Sequence, residues 1–144
     1  MAGLSFRVSV HLFLRDGAKI LLLKRILSRY EEGNYNVIAG QIEGREDAQA
    51  ATIREAKSQL DITISRDDLT VVQMMQRRTK TDDHLDYFLL CDRWSGKVQN
   101  IETYRCAELL WADMDSLPEN TDEYVREAIE NYKGSKAFTT FRVH

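Results

Sequence analysis

The chain has 144 residues, with 20 Lys and Arg against 23 Asp and Glu, a formal net charge of −3. That length suits a single domain over residues 1–144, and 43% hydrophobic residues exclude a disordered chain. One Pro, 7 Gly and 2 Cys exclude collagen-like sequence and a disulfide framework, so a reducing cytoplasm is the expected compartment.

Phe6, Val8, Val10, Leu12 and Leu14 alternate with Arg7, Ser9, His11 and Phe13, the period-two pattern of a strand. Asp16-Gly17 is a turn signal, and Lys19 to Arg25 reads as a buried partner strand, so the two predict a hairpin. The longest aliphatic run, Ile20 to Leu23, is far short of the ~20 residues of a membrane helix. The start, MAGLSFRVSV, predicts no secretory signal. Ser28 to Asn34 reads as a polar loop before a short apolar stretch, Tyr35 to Ala39. From Asp47 to Leu60 good helix formers dominate, with Asp47 as N-cap and Ile53, Ala56 and Leu60 on one apolar face.

Strands are expected at Leu69 to Met75, Leu85 to Trp94 and Leu109 to Ala112. A last helix is expected from Thr121, as N-cap, to Tyr132, with Gly134 just past its end. Strands interleaved with two helices predict a layered α/β or α+β domain with a mixed sheet. Arg77, Arg78 and Lys80 form a basic run near a strand end that reads as a solvated edge, its alternative being phosphate steering. His11 and His84 lack partners at zinc spacing, and Cys91 reads as core.

The informative segment is Gly40-Gln-Ile-Glu-Gly-Arg-Glu46, followed after seven residues by Arg54-Glu55-Ala56-Lys57-Ser58-Gln59-Leu60-Asp61-Ile62. It resembles the signature of the Nudix family, G-x5-E-x7-R-E-U-x-E-E-x-G-U, where U is bulky and aliphatic. Gly40, Glu46, Arg54, Glu55 and Ile62 stand at the matching positions, with Ala56 a small stand-in for U. Leu21 to Arg25, the Gly33 to Val37 stretch and Leu117-Pro118-Glu119-Asn120 also look like a MutT-type domain, so the resemblance spans about Ser5 to Tyr132. It implies an α/β/α sandwich, a mixed β-sheet flanked by helices, and hydrolysis of a nucleoside diphosphate linked to another moiety. Its implied cofactor is Mg²⁺ or Mn²⁺, held by hard carboxylate oxygens.

The chain departs from the family where the metal would be held. The three helical carboxylate positions are Glu55, Ser58 and Gln59. Positions 58 and 59 lie about 60° and 40° around the helix from Glu55, so the face survives while its charge does not. Asp61 replaces the family's glycine but lies about 120° away, which suits a helix end better than a ligand. A unit-charge pair at about 4 Å in an effective dielectric near 20 is worth ~4 kcal/mol, and a divalent ion roughly doubles it. With each 1.4 kcal/mol worth about tenfold, two lost carboxylates cost orders of magnitude in metal affinity. Tyr35, Ile38 and Ala39 stand where the family usually has Trp, Pro and Gly.

By resemblance, Glu55 is the best retained catalytic group, with Arg54 and Glu46 beside it as an ion pair or helix-entry contact. Metal candidates are Glu55 and Gly40, with Glu102 and Gln59 as lesser ones, and Glu43 either a surface group or a ligand. Arg25 matches a phosphate-contacting position, its alternative being a solvent-facing strand end. Asn120 matches a base-contacting position, its alternative being a turn or cap. Two functions follow: a pyrophosphohydrolase of nucleoside di- or triphosphate derivatives with low activity, or a nucleotide- or metabolite-binding module without catalysis. The expected partner is a small nucleotide or nucleoside diphosphate derivative, with no nucleic acid and no membrane, and the chain a monomer or homodimer.

Overall fold

A computed structural model describes residues 3, 5–28 and 31–142. Its strands are β1 (Arg7–Asp16), β2 (Lys19–Ser28), β3 (Glu31–Asn36), β4 (Ile38–Gln41), β5 (Thr70–Arg78), β6 (Asp83–Cys91), β7 (Cys106–Asp113) and β8 (Phe138–Arg142). Two helices, α1 (Ala48–Leu60) and α2 (Glu123–Lys133), complete the mixed α/β/α sandwich that the sequence predicts.

The expected hairpin forms only at its tip. β1 and β2 pair through Arg15–Ile20 and Asp16–Lys19 and then part. Beyond the tip, β1 runs antiparallel to β4 and parallel to β6, while β2 takes β3 and β7 as antiparallel neighbours. β5 joins β6 antiparallel and β8 joins β5 parallel. The reason lies in the alternation, which here separates two cores rather than a core from solvent. Val10, Leu12, Leu14, Leu21 and Leu23 pack with Ala51, Ala56 and Leu60 of α1. Phe13, Ile20 and Leu22 pack with Val125, Ala128 and Ile129 of α2. Both faces of each strand carry apolar side chains, so a helix must cover each.

α1 begins where expected, with the Asp47 carboxylate accepting from the Ala50 N–H at 2.9 Å. It ends at Asp61, whose φ of 56° and ψ of 38° place it in the left-handed region. α2 starts later than the sequence suggests. Thr121 spends its hydroxyl on the Pro118 carbonyl at 2.8 Å, and Asp122 is the N-cap residue. Two strands run against expectation. β3 occupies much of the segment read as a polar loop, and β8 lies beyond the last predicted element. Among the described residues no helix is long and apolar enough to cross a membrane.

Candidate functional site

The turn from β4 into α1 brings the signature residues together. Gly40 is required by contact: a Cβ there would lie 2.4 Å from the Glu55 Cδ, so the carboxylate fills the space a side chain would take. Arg54 organises the rest. Its Nε and Nη2 donate to the two oxygens of Glu46 at 2.8 and 3.0 Å, and Nη2 also donates to the Gln41 carbonyl at 3.0 Å. Its Nη1 donates to Oε1 of Glu55 at 2.6 Å. Hydrogen bonding from Arg54 holds the Glu46 carboxyl below its ordinary range, and Glu46 in turn raises the Arg54 pKa. Glu43 is exposed and stands 4.0 Å from Arg54.

The same geometry tests whether a divalent ion fits. The Ala39 carbonyl and Oε2 of Glu55 converge as acceptors, as they would around a cation. The two N–H groups of the Gln59 amide answer them, at 3.1 and 2.5 Å. Arg54 takes the other Glu55 oxygen. Ser58 is exposed. Among the described residues no group of three or more His, Cys, Asp or Glu side chains could hold a metal. The donor set therefore does not fit a catalytic divalent ion. It is an acceptor pair already closed by neutral and cationic donors.

A cleft of about 270 Å³ lies beside this cluster, with Gly40 and Gln59 on its α1 side. Its α2 side is a buried polar network. Asn36 donates from one amide nitrogen to Asp122 at 2.8 Å and to the Tyr124 hydroxyl at 3.0 Å, while its carbonyl accepts from the Val37 N–H. The Tyr124 hydroxyl lies 3.1 Å from Nε2 of His11. Having accepted from Asn36, it has its proton to give to the ring. Burial lowers the His11 pKa to about 4 and keeps the ring neutral; it stacks on Phe88 at 4.5 Å. Burial likewise raises the Tyr124 pKa.

Arg77 corrects the expectation of a solvated strand edge. Its Nε donates to Asp86 at 2.6 Å, and its guanidinium lies 4.0 Å from the Tyr124 ring centre. Asp86 is fully buried and the Arg77 side chain is only 14% exposed. Burial works against the Arg77 charge, but Asp86, with Tyr124 and Asp122 adding to it, favours the charge and the pKa is raised.

The remaining sequence candidates divide. Arg25 lines the cleft, 3.8 Å from Asp122. Glu102 also lines it, accepts from the Tyr104 hydroxyl at 2.8 Å and stands 3.7 Å from Arg105. Asn120 is exposed and outside the cleft lining; its backbone carbonyl accepts from the Tyr35 N–H at 2.9 Å. Asn36, His11, Tyr124 and Arg105 line the cleft without having been singled out as ligand-binding residues. Asn36 carried the one available signal, an amide inside an apolar stretch, since a buried amide has to find partners.

A family model described as NUDIX domain matches residues 5–132. The MutT NUDIX hydrolase of Burkholderia pseudomallei superposes with a TM-score of 0.78 at 23% identity, covering 88% of this chain and 97% of that one. The MutT protein of Methanosarcina mazei gives 0.76 at 17% identity, covering 93% and 97%. The MutT protein of Bacillus halodurans gives 0.76 at 16% identity, covering 95% and 90%. No curated protein sequence matches significantly. At these identities the structural likeness speaks for the fold.

Proposed function

The chain belongs to the Nudix domain family, and from that premise we propose that its cleft receives a nucleoside di- or triphosphate derivative and that it is a pyrophosphohydrolase of low turnover. The observation that carries this is the state of Glu55. It sits against Gly40 beside the cleft, at the position that matches a carboxylate of the family's signature, yet both its oxygens are taken by Arg54 and Gln59. In this reading Arg54 and Glu46 orient Glu55, which stands in the catalytic position. Arg25 meets the ligand's phosphates, and Asn120, exposed and outside the cleft lining, is the candidate to read a base. A metal at Glu55, with the Ala39–Gly40 backbone, Gln59 or Glu102, would have to displace donors already in place.

A second reading, binding without turnover, is favoured by the Gln59 amide, which satisfies the carbonyl and carboxylate that a cation would otherwise bridge. The mild net charge of −3 supports a small-molecule partner over nucleic acid. Two buried free cysteines suit the cytoplasm, as a monomer or homodimer.

A hydrolysis panel tests both readings. Nucleoside triphosphates, oxidised guanine nucleotides, ADP-ribose and nucleotide sugars are assayed with Mg²⁺ and with Mn²⁺, beside the Ser58→Glu/Gln59→Glu double variant. Slow wild-type turnover that Glu55→Gln abolishes, raised at least about tenfold in the double variant, is the expected result. A silent wild type with an active double variant selects the binding module. Silence from both shows that the cleft has diverged beyond the metal ligands, and the hydrolase reading falls.

A further inference from the structure

We propose that Arg25 and Arg105 together form a metal-independent binding site for the phosphates of the cleft's ligand. The proposal rests on the reading that this ligand carries a di- or triphosphate. Such a ligand brings several negative charges into the cleft, and the carboxylate cradle that would recruit a neutralising ion is closed by Gln59 and Arg54. The charge has to be met by cations of the protein itself.

Among the described residues three arginines line the cleft: Arg25, Arg77 and Arg105. Arg77 is committed to Asp86 at 2.6 Å and to the face of Tyr124. Arg25 stands on β2, and Arg105 stands in the turn that leads into β7, the strand beside it. Arg25 of β2 is in register with Cys106 of β7, and the Ile26 N–H donates to the Arg105 carbonyl at 2.8 Å. Their backbones are therefore adjacent where both side chains reach the cleft. Among the described residues each has one acidic neighbour outside hydrogen-bonding distance: Asp122 at 3.8 Å from Arg25 and Glu102 at 3.7 Å from Arg105. Those carboxylates take their hydrogen bonds elsewhere, Asp122 from Asn36 and Glu102 from Tyr104. The two guanidinium forks keep N–H donors unspent on them, with side chains 53% and 71% exposed.

A planar fork matches two phosphate oxygens at once, and charge-assisted bonds of this kind are about twice as strong as neutral ones. Two forks on adjacent backbone segments suit a pyrophosphate group better than a single phosphate. Neutral His11 adds no charge on the α2 side. Glu102 acquires a role opposite to the metal-ligand role the sequence suggested: it stands beside Arg105 and opposes an incoming anion.

Calorimetric titration of inorganic pyrophosphate and of ADP into the full chain, in excess EDTA at neutral pH, tests this. Both ligands are expected to bind without metal. Arg105→Gln and Arg25→Gln should each weaken binding at least about tenfold. Glu102→Gln should tighten it. Lys97→Gln, which removes an exposed cation of the same loop outside the cleft lining, should change nothing and so excludes a general charge effect. Binding by Arg105→Gln equal to wild type overturns the arginine pair while leaving the nucleotide reading intact. Binding that appears only with Mg²⁺ and weakens in Glu102→Gln also overturns it, and returns Glu102 to the metal. No binding of either ligand, with or without Mg²⁺, by a chain whose circular dichroism is native overturns the pair and the nucleotide reading together.

Discussion

The two sides of the cleft solve the same problem, a polar group next to a hydrophobic core, in opposite ways. On the α1 side Arg54 bridges Glu46 and Glu55, both partly accessible, and Gln59 closes the remaining acceptors. On the α2 side Asp86 is fully buried against Arg77, and Asn36, Tyr124 and His11 are joined by hydrogen bonds through the Tyr124 hydroxyl. The first arrangement holds its form with the uncharged side chains Ser58 and Gln59 on the same helix. That persistence shows that the signature residues hold each other as well as any ligand: Gly40, Glu46, Arg54 and Glu55 make a self-contained set. The second arrangement has no such slack, because removing one member strands another in a medium that cannot solvate it.

The largest effect is expected at the Arg77–Asp86 pair. Asp86→Ala leaves a guanidinium that is 14% exposed without its partner and should cost about 3–5 kcal/mol in stability, read from urea unfolding. The double variant Arg77→Met/Asp86→Leu, which removes both charges, should recover most of that loss. A cost below about 1 kcal/mol for Asp86→Ala would erase the contrast between the two sides, since exposed pairs are worth that much.

How much of this was legible in the sequence follows the same division. Local signals were sufficient on the α1 side: Asp47 caps α1, Asp61 ends it, and the spacing of Glu46, Arg54 and Glu55 places three side chains in mutual contact. The α2 side depends on pairings between distant segments. Arg77 looked like an edge cation because the strand that neutralises it, β6, is fixed only by register, with Met75 opposite Asp86. β8 carries the sequence Phe-Thr-Thr-Phe-Arg and is a strand because β5 offers it a parallel edge. The β1–β2 hairpin was read correctly at its tip and wrongly beyond, since period-two alternation does not say whether the second face meets water or another core. Thr121 lost the cap to Asp122 because its hydroxyl found the Pro118 carbonyl first.

A pH titration of stability sharpens the comparison further. His11 takes its proton near the ordinary imidazole value of 6.5 when unfolded but only near 4 when folded, because burial penalises the charged ring. Its contribution is therefore complete above the upper value and is lost as pH falls toward the lower one, because only the unfolded chain binds the proton in between. The loss is about 3 kcal/mol by linkage. His11→Gln removes that proton while its amide can still meet the Tyr124 hydroxyl. The stability difference between wild type and variant should shrink by about this amount between neutral pH and pH ~4. A pH-independent difference would mean that His11 is charged or accessible in the fold, and that the α2 side is as open as the α1 side.

The smallest effect concerns the tightest contact. Gly40→Ala places a Cβ 2.4 Å from the Cδ and 2.5 Å from the Oε1 of Glu55. A glutamate end is ordinarily free to swing aside, which would make the substitution nearly neutral. Here Arg54 and Gln59 hold both oxygens, so the alanine has to break one of those bonds or shift β4. A cost of about 1–2 kcal/mol is expected from overpacking of this kind. The double-mutant cycle with Glu55→Ala isolates the cause, because alanine at 55 removes the atoms in the way. In that background Gly40→Ala should cost close to nothing, and the coupling should account for nearly all of the single-variant loss. An equal cost in both backgrounds would place the strain in the β4 backbone instead. Glu55 would then be an ordinary helix carboxylate beside a turn, and the set around Arg54 would lose its claim to be held together from within.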